Sequence, residues 1–327
     1  MQNRIDIWLV VMASSLALCL GTISCGNSKG TNETTTADAS TKVPTQTAQT
    51  QPDLEKQRQE AEQQARPGVE KERKQAEEEA TKNLDQDAIA AITDTQAAID
   101  AIASNKSDAA LKAIEQATGK INVLLARNPR VAFIPVGVQV VVIDSGPHDL
   151  KAIKALTDEV SVAVAAKDYP AARVVLDGLA SEIRVRTYSL PLGTYPDALK
   201  EAARLLDQKK NDEASSVLLA ALNTLVAVDR VTPLPLVLAR EALDAAREKS
   251  QSDKTMAETL VRTAKNEIER AKALGYAAKD PDYANLNTDI ASLEKQLKSN
   301  GDTGSVFAKL EDKLSGFLKR QSQQERR

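Results

Sequence analysis

"RVAFIPVGVQVVVIDSGPHD", residues 130–149, separates two regions that are rich in Ala, Glu, Lys and Leu. Nine Val, Ile or Phe residues occur in the thirteen positions from 131 to 143. Val138, Val140 and Val142 alternate with other residues, and β-branched side chains at every second position are typical of a strand. Because residues 141–143 are apolar on both faces, we expect this strand to be buried.

The segments on either side show helical periodicity. The pattern predicts antiparallel helical hairpins, because pairs of amphipathic helices are joined by short polar turns. The first two hairpins cover residues 84–125 and 149–183, and two more cover 196–228 and 234–273. A weaker alternating run, Ile183–Ser189, is predicted to pair with the first strand.

A short motif recurs between the hairpins. Leu190-Pro191-Leu192 matches Leu234-Pro235-Leu236 at an offset of 44 residues, and nearby residues match at the same offset. Ile134-Pro135-Val136 reads as an earlier copy, followed by about ten extra residues. The predicted fold is mainly α: stacked antiparallel helical hairpins, bundle-like or solenoid-like, with a small two-stranded extended element.

The N-terminus predicts export. Residues 1–25 have the pattern of a signal peptide, with an uncharged apolar run from Ile7 to Ile23. Ser24-Cys25 resembles a lipoprotein processing site, which would make Cys25 the lipidated N-terminus. The alternatives are an ordinary cleaved signal with an incidental cysteine and an uncleaved anchor. Lipidation would place the protein on the periplasmic side of a bacterial membrane, the outer membrane where there are two.

The composition divides the rest of the chain into four regions. Residues 26–52 are rich in Ser and Thr and are predicted to be a disordered tether. Residues 53–83 are highly charged and predict a solvated, partly helical stalk, broken at Pro67-Gly68, or alternatively a coiled-coil arm. Residues 84–276 form the hairpin domain, and residues 277–327 form C-terminal helices and a tail.

The residue inventory offers little for catalysis. Both cysteines lie in the first 25 residues and His148 is the only histidine, so a Cys/His metal cluster or a Ser-His-Asp triad lacks its parts. His148 is interpreted as a surface residue at a helix start. Carboxylate pairs such as Asp158-Glu159 and Asp280/Asp282 are interpreted as solvated charge. We therefore expect no catalytic site, metal or cofactor.

A partner or ligand surface is the more specific expectation. Val138, Val140 and Val142, together with Tyr188 of the second run, are the candidate residues, because an exposed strand edge can accept a strand from a partner. Three arginines are interpreted as ordinary surface charge rather than as an anion site: Arg173, Arg184 and Arg186. The net charge of −3 argues against nucleic acid as a partner.

The order of these segments resembles the YfdX-type family of exported bacterial proteins. The resemblance runs from about Leu84 to Lys249, through "FIPVGVQVVVID", "PHDLKAIKAL" and "IRVRTYSLPLGTYPDALKEAARLLDQKKNDEASSVLLAAL". It implies a periplasmic, mostly helical protein linked to acid and envelope stress. It implies no established enzymatic activity and supplies no catalytic residues.

Three functions are compatible with these observations. The first is a non-enzymatic, stress-associated envelope protein that acts as a protein-binding scaffold or chaperone-like factor, held at the membrane by its lipid anchor. The second is a binder of small hydrophobic molecules, with an apolar pocket between residues 134–143 and the neighbouring helices. The third is an acid–base enzyme that uses carboxylates with Lys or Tyr.

Overall fold

The computed structural model describes residues 51–299, 301, 303–322 and 325–326. The expected signal peptide, Cys25 and nearly all of the expected tether lie outside these residues. None of the helices in the described part of the chain is long and apolar enough to span a membrane.

Eleven helices and four strands follow one another along the described residues. In chain order they are α1 (Gln51–Lys82), α2 (Gln86–Ala103), α3 (Ser107–Arg127), β1 (Phe133–Asp144), α4 (Leu150–Ala165), α5 (Tyr169–Asp177), β2 (Ser181–Pro191), α6 (Tyr195–Asp207), α7 (Asn211–Leu222), β3 (Val226–Pro233), α8 (Leu234–Lys249), α9 (Lys254–Ala273), α10 (Asp282–Lys298), α11 (Gly304–Ser322) and β4 (Glu325–Arg326).

The strands form one antiparallel sheet in the order β1-β2-β3, and the two-residue β4 pairs with β3. Ile134 lies opposite Leu190, and Asp144 lies opposite Ser181, so β1 and β2 pair over almost their whole length. The predicted pairing of the two alternating runs is confirmed. A third long strand, β3, is present where the periodicity predicted the end of a helix, so the element has three strands rather than two.

Each long strand follows a helical hairpin, which gives three helix–helix–strand units. Because neighbouring strands are antiparallel, the hairpin between β1 and β2 lies at one end of the sheet, and the hairpin between β2 and β3 lies at the other. The first and third hairpins therefore share an end, where α3 packs on α6 and α2 packs on α7. The expected stacking of antiparallel hairpins is not confirmed, because the second hairpin lies at the other end of the sheet from the first and third.

The first hydrophobic core lies between these two hairpins. Small residues let the helices approach closely, since Ala88, Ala91 and Ala98 of α2 are all buried. Tyr195 donates a hydrogen bond of 2.7 Å to Thr95 within the core. Burial raises the pKa of the Tyr195 hydroxyl to about 12, so this group stays protonated as a donor at neutral pH.

A second core joins α8, α9, α10 and α11 to one face of the sheet. Ile183 of β2 belongs to this cluster, and Val140 of β1 packs against it. Alternate residues of a strand share a face, so Val138, Val140 and Val142, which follow the register shift at Pro135/Gly137, lie on the face turned toward this core. Tyr283 and Phe317 meet edge to face inside the core, with ring centroids 5.0 Å apart.

The charged segment at the start of the described chain is one helix, α1, that continues through Pro67. The expected break at Pro67-Gly68 is therefore wrong. Gly68 is buried, and Glu72 accepts a hydrogen bond of 3.0 Å from Arg240 of α8. Pro67 has no backbone N–H and cannot donate the usual helical hydrogen bond. Packing of the second half of α1 on α8 and β1 compensates for this loss.

Two further expectations about the apolar stretch need correction. Ile134-Pro135 lies at the start of a strand, whereas Leu190-Pro191 ends one, so the first motif is not an equivalent copy. The strand itself is only partly covered, because Ile134 is its one buried residue. It is the edge strand of the sheet, which explains why an apolar sequence did not lead to burial.

The neighbours Leu218 and Leu219 on α7 provide a matched test of the first core. Leu218 is fully buried and Leu219 is exposed. We expect Leu218→Ala to lower the free energy of unfolding by about 2–5 kcal/mol, because it leaves a cavity between the hairpins. Leu219→Ala should change it by less than about 0.5 kcal/mol. Urea denaturation measures both values, and equal losses would contradict the assigned core.

Candidate functional site

The candidate residues of β1 lie at the free edge of the sheet. Within the described part of the chain, β1 pairs with no strand other than β2. Val138 and Val140 are half-buried on the face that packs on α8, while Val142 is 41% exposed at the far end. The backbone of Pro135 accepts a hydrogen bond of 3.0 Å from Asp85, which ties the start of this edge to the beginning of α2.

Tyr188 is not part of the same surface. It lies opposite Gly137 in the register of the two strands, so it points to the face opposite that of Val138, Val140 and Val142. Its hydroxyl is 3.4 Å from the side-chain oxygen of Gln139. The structure therefore brings the three valines together and separates Tyr188 from them.

The face that carries Tyr188 is lined by paired charges. Arg186 donates two hydrogen bonds to Asp229, of 2.7 and 2.8 Å, and Arg184 contacts Glu182 at 2.7 Å. These hydrogen bonds lower the pKa of the Asp229 carboxyl below its usual range. Both arginines are partly buried and engaged with carboxylates, so they differ from the ordinary surface charges that were expected.

A buried ionic cluster lies where β1 ends, and sequence reasoning missed it. Arg270 of α9 is 1% exposed. Its guanidinium donates 2.7 Å hydrogen bonds to Asp144 and to the carbonyl oxygen of Gly146, and a 3.2 Å bond to Glu267. The carbonyl of Pro147 accepts a fourth bond, of 3.0 Å. Arg270 therefore ties the end of β1 to α9.

The neighbouring strand end is held by a second set of polar contacts. The Tyr276 hydroxyl donates to Glu182 at 3.0 Å and accepts the backbone N–H of Ser181 at 2.9 Å. The Ser181 hydroxyl donates to Asp144 at 2.7 Å, which links this set to Arg270. Glu182 and Glu267 are the buried carboxylates here. Each of them is paired with an arginine, Glu182 with Arg184 and Glu267 with Arg270.

The single histidine borders this cluster. His148 Nδ1 is 3.7 Å from a carboxylate oxygen of Glu267, and the residue is only partly exposed. His148 lies directly before the N-cap of α4, as expected for a residue at a helix start, but it is half-buried beside Glu267 instead of lying on the open surface. No sequence signal pointed to the cluster, because Glu267 and Arg270, three residues apart on α9, look like an ordinary surface ion pair.

Two of the other charged candidates, Asp158 and Asp282, have partners within the described residues. Asp158 accepts from Lys154 at 2.8 Å on the exposed side of α4, and Asp282 pairs with Arg320. In the part of the chain that the structure describes, no group of three or more His, Cys, Asp or Glu side chains is placed to hold a metal ion.

An open groove of about 360 Å³ runs along α2 and α3. Seven residues line it, five of them charged or polar in type: Asp87, Glu115, Gln116, Gly119, Lys120, Val123 and Arg127. It lies on the first hairpin and not beside the valines of β1. It is therefore not the apolar pocket that binding of small hydrophobic molecules at residues 134–143 would require.

Comparison with known proteins identifies the central part of the chain. The family model described as YfdX protein matches residues 91–231, from within α2 to β3. A solved structure of YfdX from Salmonella Typhi aligns at 13% identity, with a TM-score of 0.32, over 46% of this chain and 93% of that one. No curated protein matches.

The resemblance to the YfdX family is therefore confirmed over residues 91–231, on the strength of the family model. The matched segment contains almost all of the three helix–helix–strand units. Helix α1 and helices α8 to α11 lie outside it.

The role of Arg270 can be tested by removing its charge while keeping most of its volume. We expect Arg270→Met to lower the free energy of unfolding by about 3–5 kcal/mol, because Glu267 and Asp144 lose their cation. Arg262→Met on the exposed side of the same helix is the control and should cost less than about 0.5 kcal/mol. Similar losses in urea denaturation for both variants would contradict the structural role.

The pairing of Asp229 with Arg186 predicts a dependence on pH. Because the folded-state pKa of Asp229 is lowered, its contribution to stability is complete above the usual value of 3.8 and disappears as pH falls through the folded-state pKa. We expect Asp229→Asn to lower stability at pH 7 by about 1 kcal/mol or less. The difference from wild type, measured by urea denaturation at several pH values, should shrink in strong acid. A difference that is constant or grows toward acid would rule out this pairing.

Proposed function

We propose that this protein is a non-enzymatic, stress-associated bacterial envelope protein that binds other proteins as a scaffold or chaperone-like factor. The observation that carries the proposal is the free edge of β1. It is a twelve-residue strand that pairs on one side only within the described residues. Such an edge offers backbone N–H and C=O groups to an extended segment of another protein.

The side chains of β1 suit this role. Pro135, the irregular register between Pro135 and Gly137, and the terminal Asp144 protect the two ends of this edge, but the stretch from Val138 to Ile143 has no charge and no proline. Val142 is exposed beside the free edge, where it can contact an apolar side chain of the added segment. A partner of the proposed kind is therefore an extended, β-branched and apolar segment, as is found in unfolded envelope proteins.

The location belongs to the same proposal. Export, lipidation of Cys25 and a position on the periplasmic side of the membrane are supported by the N-terminal sequence pattern. The segment from 91 to 231 matches the YfdX family, and a periplasmic location is what the resemblance to that family implies. The buried carboxylates of the described residues support a non-enzymatic function, because arginines neutralise them.

The proposed function can be tested with two variants of similar surface exposure. Val142 on the β1 edge is 41% exposed, and Val123 on α3 is 43% exposed. We expect Val142→Lys to weaken binding of a fluorescent, extended Val/Thr-rich peptide at least about tenfold, because a lysine on the edge opposes strand addition. Val123→Lys should bind like the wild type. Fluorescence anisotropy measures the affinity.

A second measurement addresses the chaperone-like function. The wild type and Val123→Lys should suppress light scattering by a reduced, unfolded client protein, and Val142→Lys should suppress it less. The proposal fails if the wild type binds neither the peptide nor the client, or if both variants weaken binding equally.

A further inference from the structure

Three helices lie over the apolar face of the sheet, and α1 is the one that covers the edge strand. Helix α1 contacts β1 and β2, α8 contacts β2 and β3, and α11 contacts β3. Val69 of α1 and Val140 of β1 both pack against the second core. Helix α1 therefore covers the apolar side of the strand that is proposed to bind partners.

The docked side of α1 is small and polar. Residues 69, 72, 73, 76 and 80 recur at helical spacing and are buried or half-buried, whereas the residues between them are exposed. Val69 is the one large apolar side chain of this set, and Ala80 is its one buried residue. Helix α8, by comparison, buries nine residues. Because few apolar contacts hold α1, we expect it to open locally before the rest of the chain unfolds.

A polar contact with α8 holds the first part of this docked side. Arg240 of α8 donates a hydrogen bond of 3.0 Å to Glu72 of α1 and another of 3.0 Å to Glu241 of its own helix. Gly68 lies against the same carboxylate, since a Cβ at this position would overlap the end of the Glu241 side chain. We call Gly68, Glu72, Arg240 and Glu241 the α1 latch.

The connection after α1 lets this helix separate from the sheet without disturbing the elements that follow it. Helix α1 comes first in the described chain and is joined to the rest of it through Asn83 and Leu84 alone. The next residue, Asp85, caps α2 with its side chain and donates its backbone N–H to the carbonyl of Pro135. A rotation at residues 83 and 84 therefore lifts α1 while α2 and β1 stay in place.

We propose that α1 is an autoinhibitory cover of β1 and that the α1 latch holds it closed. The proposal rests on the proposed function of the β1 edge and adds its regulation. In the closed state, α1 lies over the side of β1 that carries Val138 and Val140, where alternate side chains of an added strand would pack. Release of α1 exposes these two valines beside Val142, so that the edge gains one continuous apolar strip.

The cover sets the apparent affinity of the β1 edge. When a protein binds only from a minor open state, its dissociation constant is raised by the inverse of the open fraction. If about 10% of the chain or less is open, a variant that stays open binds at least about tenfold more tightly than the wild type. The coupling is reciprocal, so a bound segment also favours the open state.

A wedge in the latch tests the cover from the side of α1. Gly68→Leu places a side chain in the space of the Glu241 carboxylate. Gly119→Leu on α3 is the matched control, because a Cβ there meets nothing within 4 Å. Hydrogen exchange of the full chain measures the release of residues 67–82, and fluorescence anisotropy measures binding of the extended Val/Thr-rich peptide. We expect Gly68→Leu to exchange faster in α1 and to bind at least about tenfold more tightly, and Gly119→Leu to match the wild type.

Charge reversal tests the latch from the side of α8. Arg240→Glu brings three carboxylates together and should release α1, whereas Lys249→Glu, on an exposed residue of the same helix, should not. Glu72→Arg added to Arg240→Glu returns a cation to the latch and should restore both slow exchange and weak binding. Exchange outside residues 67–82 should stay as in the wild type, which shows that the remaining fold is intact.

The wild type provides the reciprocal measurement, because saturating peptide should speed hydrogen exchange in its α1. Autoinhibition is overturned if the wedge and the charge reversal release α1 but bind the peptide no more tightly than the wild type. It is also overturned if neither variant releases α1 more than its control does. Release of α1 without peptide binding by any variant would overturn the proposed function itself. The two failures are distinguishable, since exchange is measured without the peptide.

Discussion

The antiparallel pairing of β1 with β2 is the constraint on which the rest of the structure depends. Asp144 meets Ser181 at one end and Ile134 meets Leu190 at the other. Each strand crosses the sheet once, so every hairpin lies at the end opposite that of the hairpin before it. This alternation places the first and third hairpins together, where they form the first core. It places the α4–α5 hairpin alone at the other end of the sheet, where α4 contacts α9.

The buried cation of Arg270 holds that arrangement at the point where β1 leaves the sheet. It binds Asp144 on the strand, Glu267 on α9 and two carbonyl oxygens of the loop that leads to α4. An ion cluster of this kind adds little net stability compared with apolar packing, but removing one partner is costly. Its effect is therefore to specify one position of α9 relative to the strand ends.

The segment that matches the YfdX family and the helices outside it have different roles in the fold. The three helix–helix–strand units make the sheet and the first core. Helices α8 to α11 and part of α1 cover one face of that sheet, and α1 and α2 also contact β1, which pairs with β2 alone among the described strands.

Local patterns predicted much of this protein. Helical periodicity located the helices of each hairpin, and alternation located β1 and β2, because both depend on which neighbouring side chains share a face. The 44-residue repeat also contained the signal for β3, since Arg230 occupies the position that Arg186 has in β2. That signal was outweighed by the apolar run after α7, which continues a helical pattern. The continuity of α1 through Pro67 depends on packing that no local pattern reveals.

The sequence by itself therefore determined the helical hairpins, two of the strands and the similarity to one family. Only the tertiary structure decided which hairpins pack together, which strand is the edge, and where Tyr188 points relative to Val138, Val140 and Val142. It also brought Asp144, Glu267 and Arg270 together. The physical reason is that periodicity is set by neighbours in the chain, whereas strand register and the buried ion pair of Asp144 with Arg270 join residues that are far apart in the sequence.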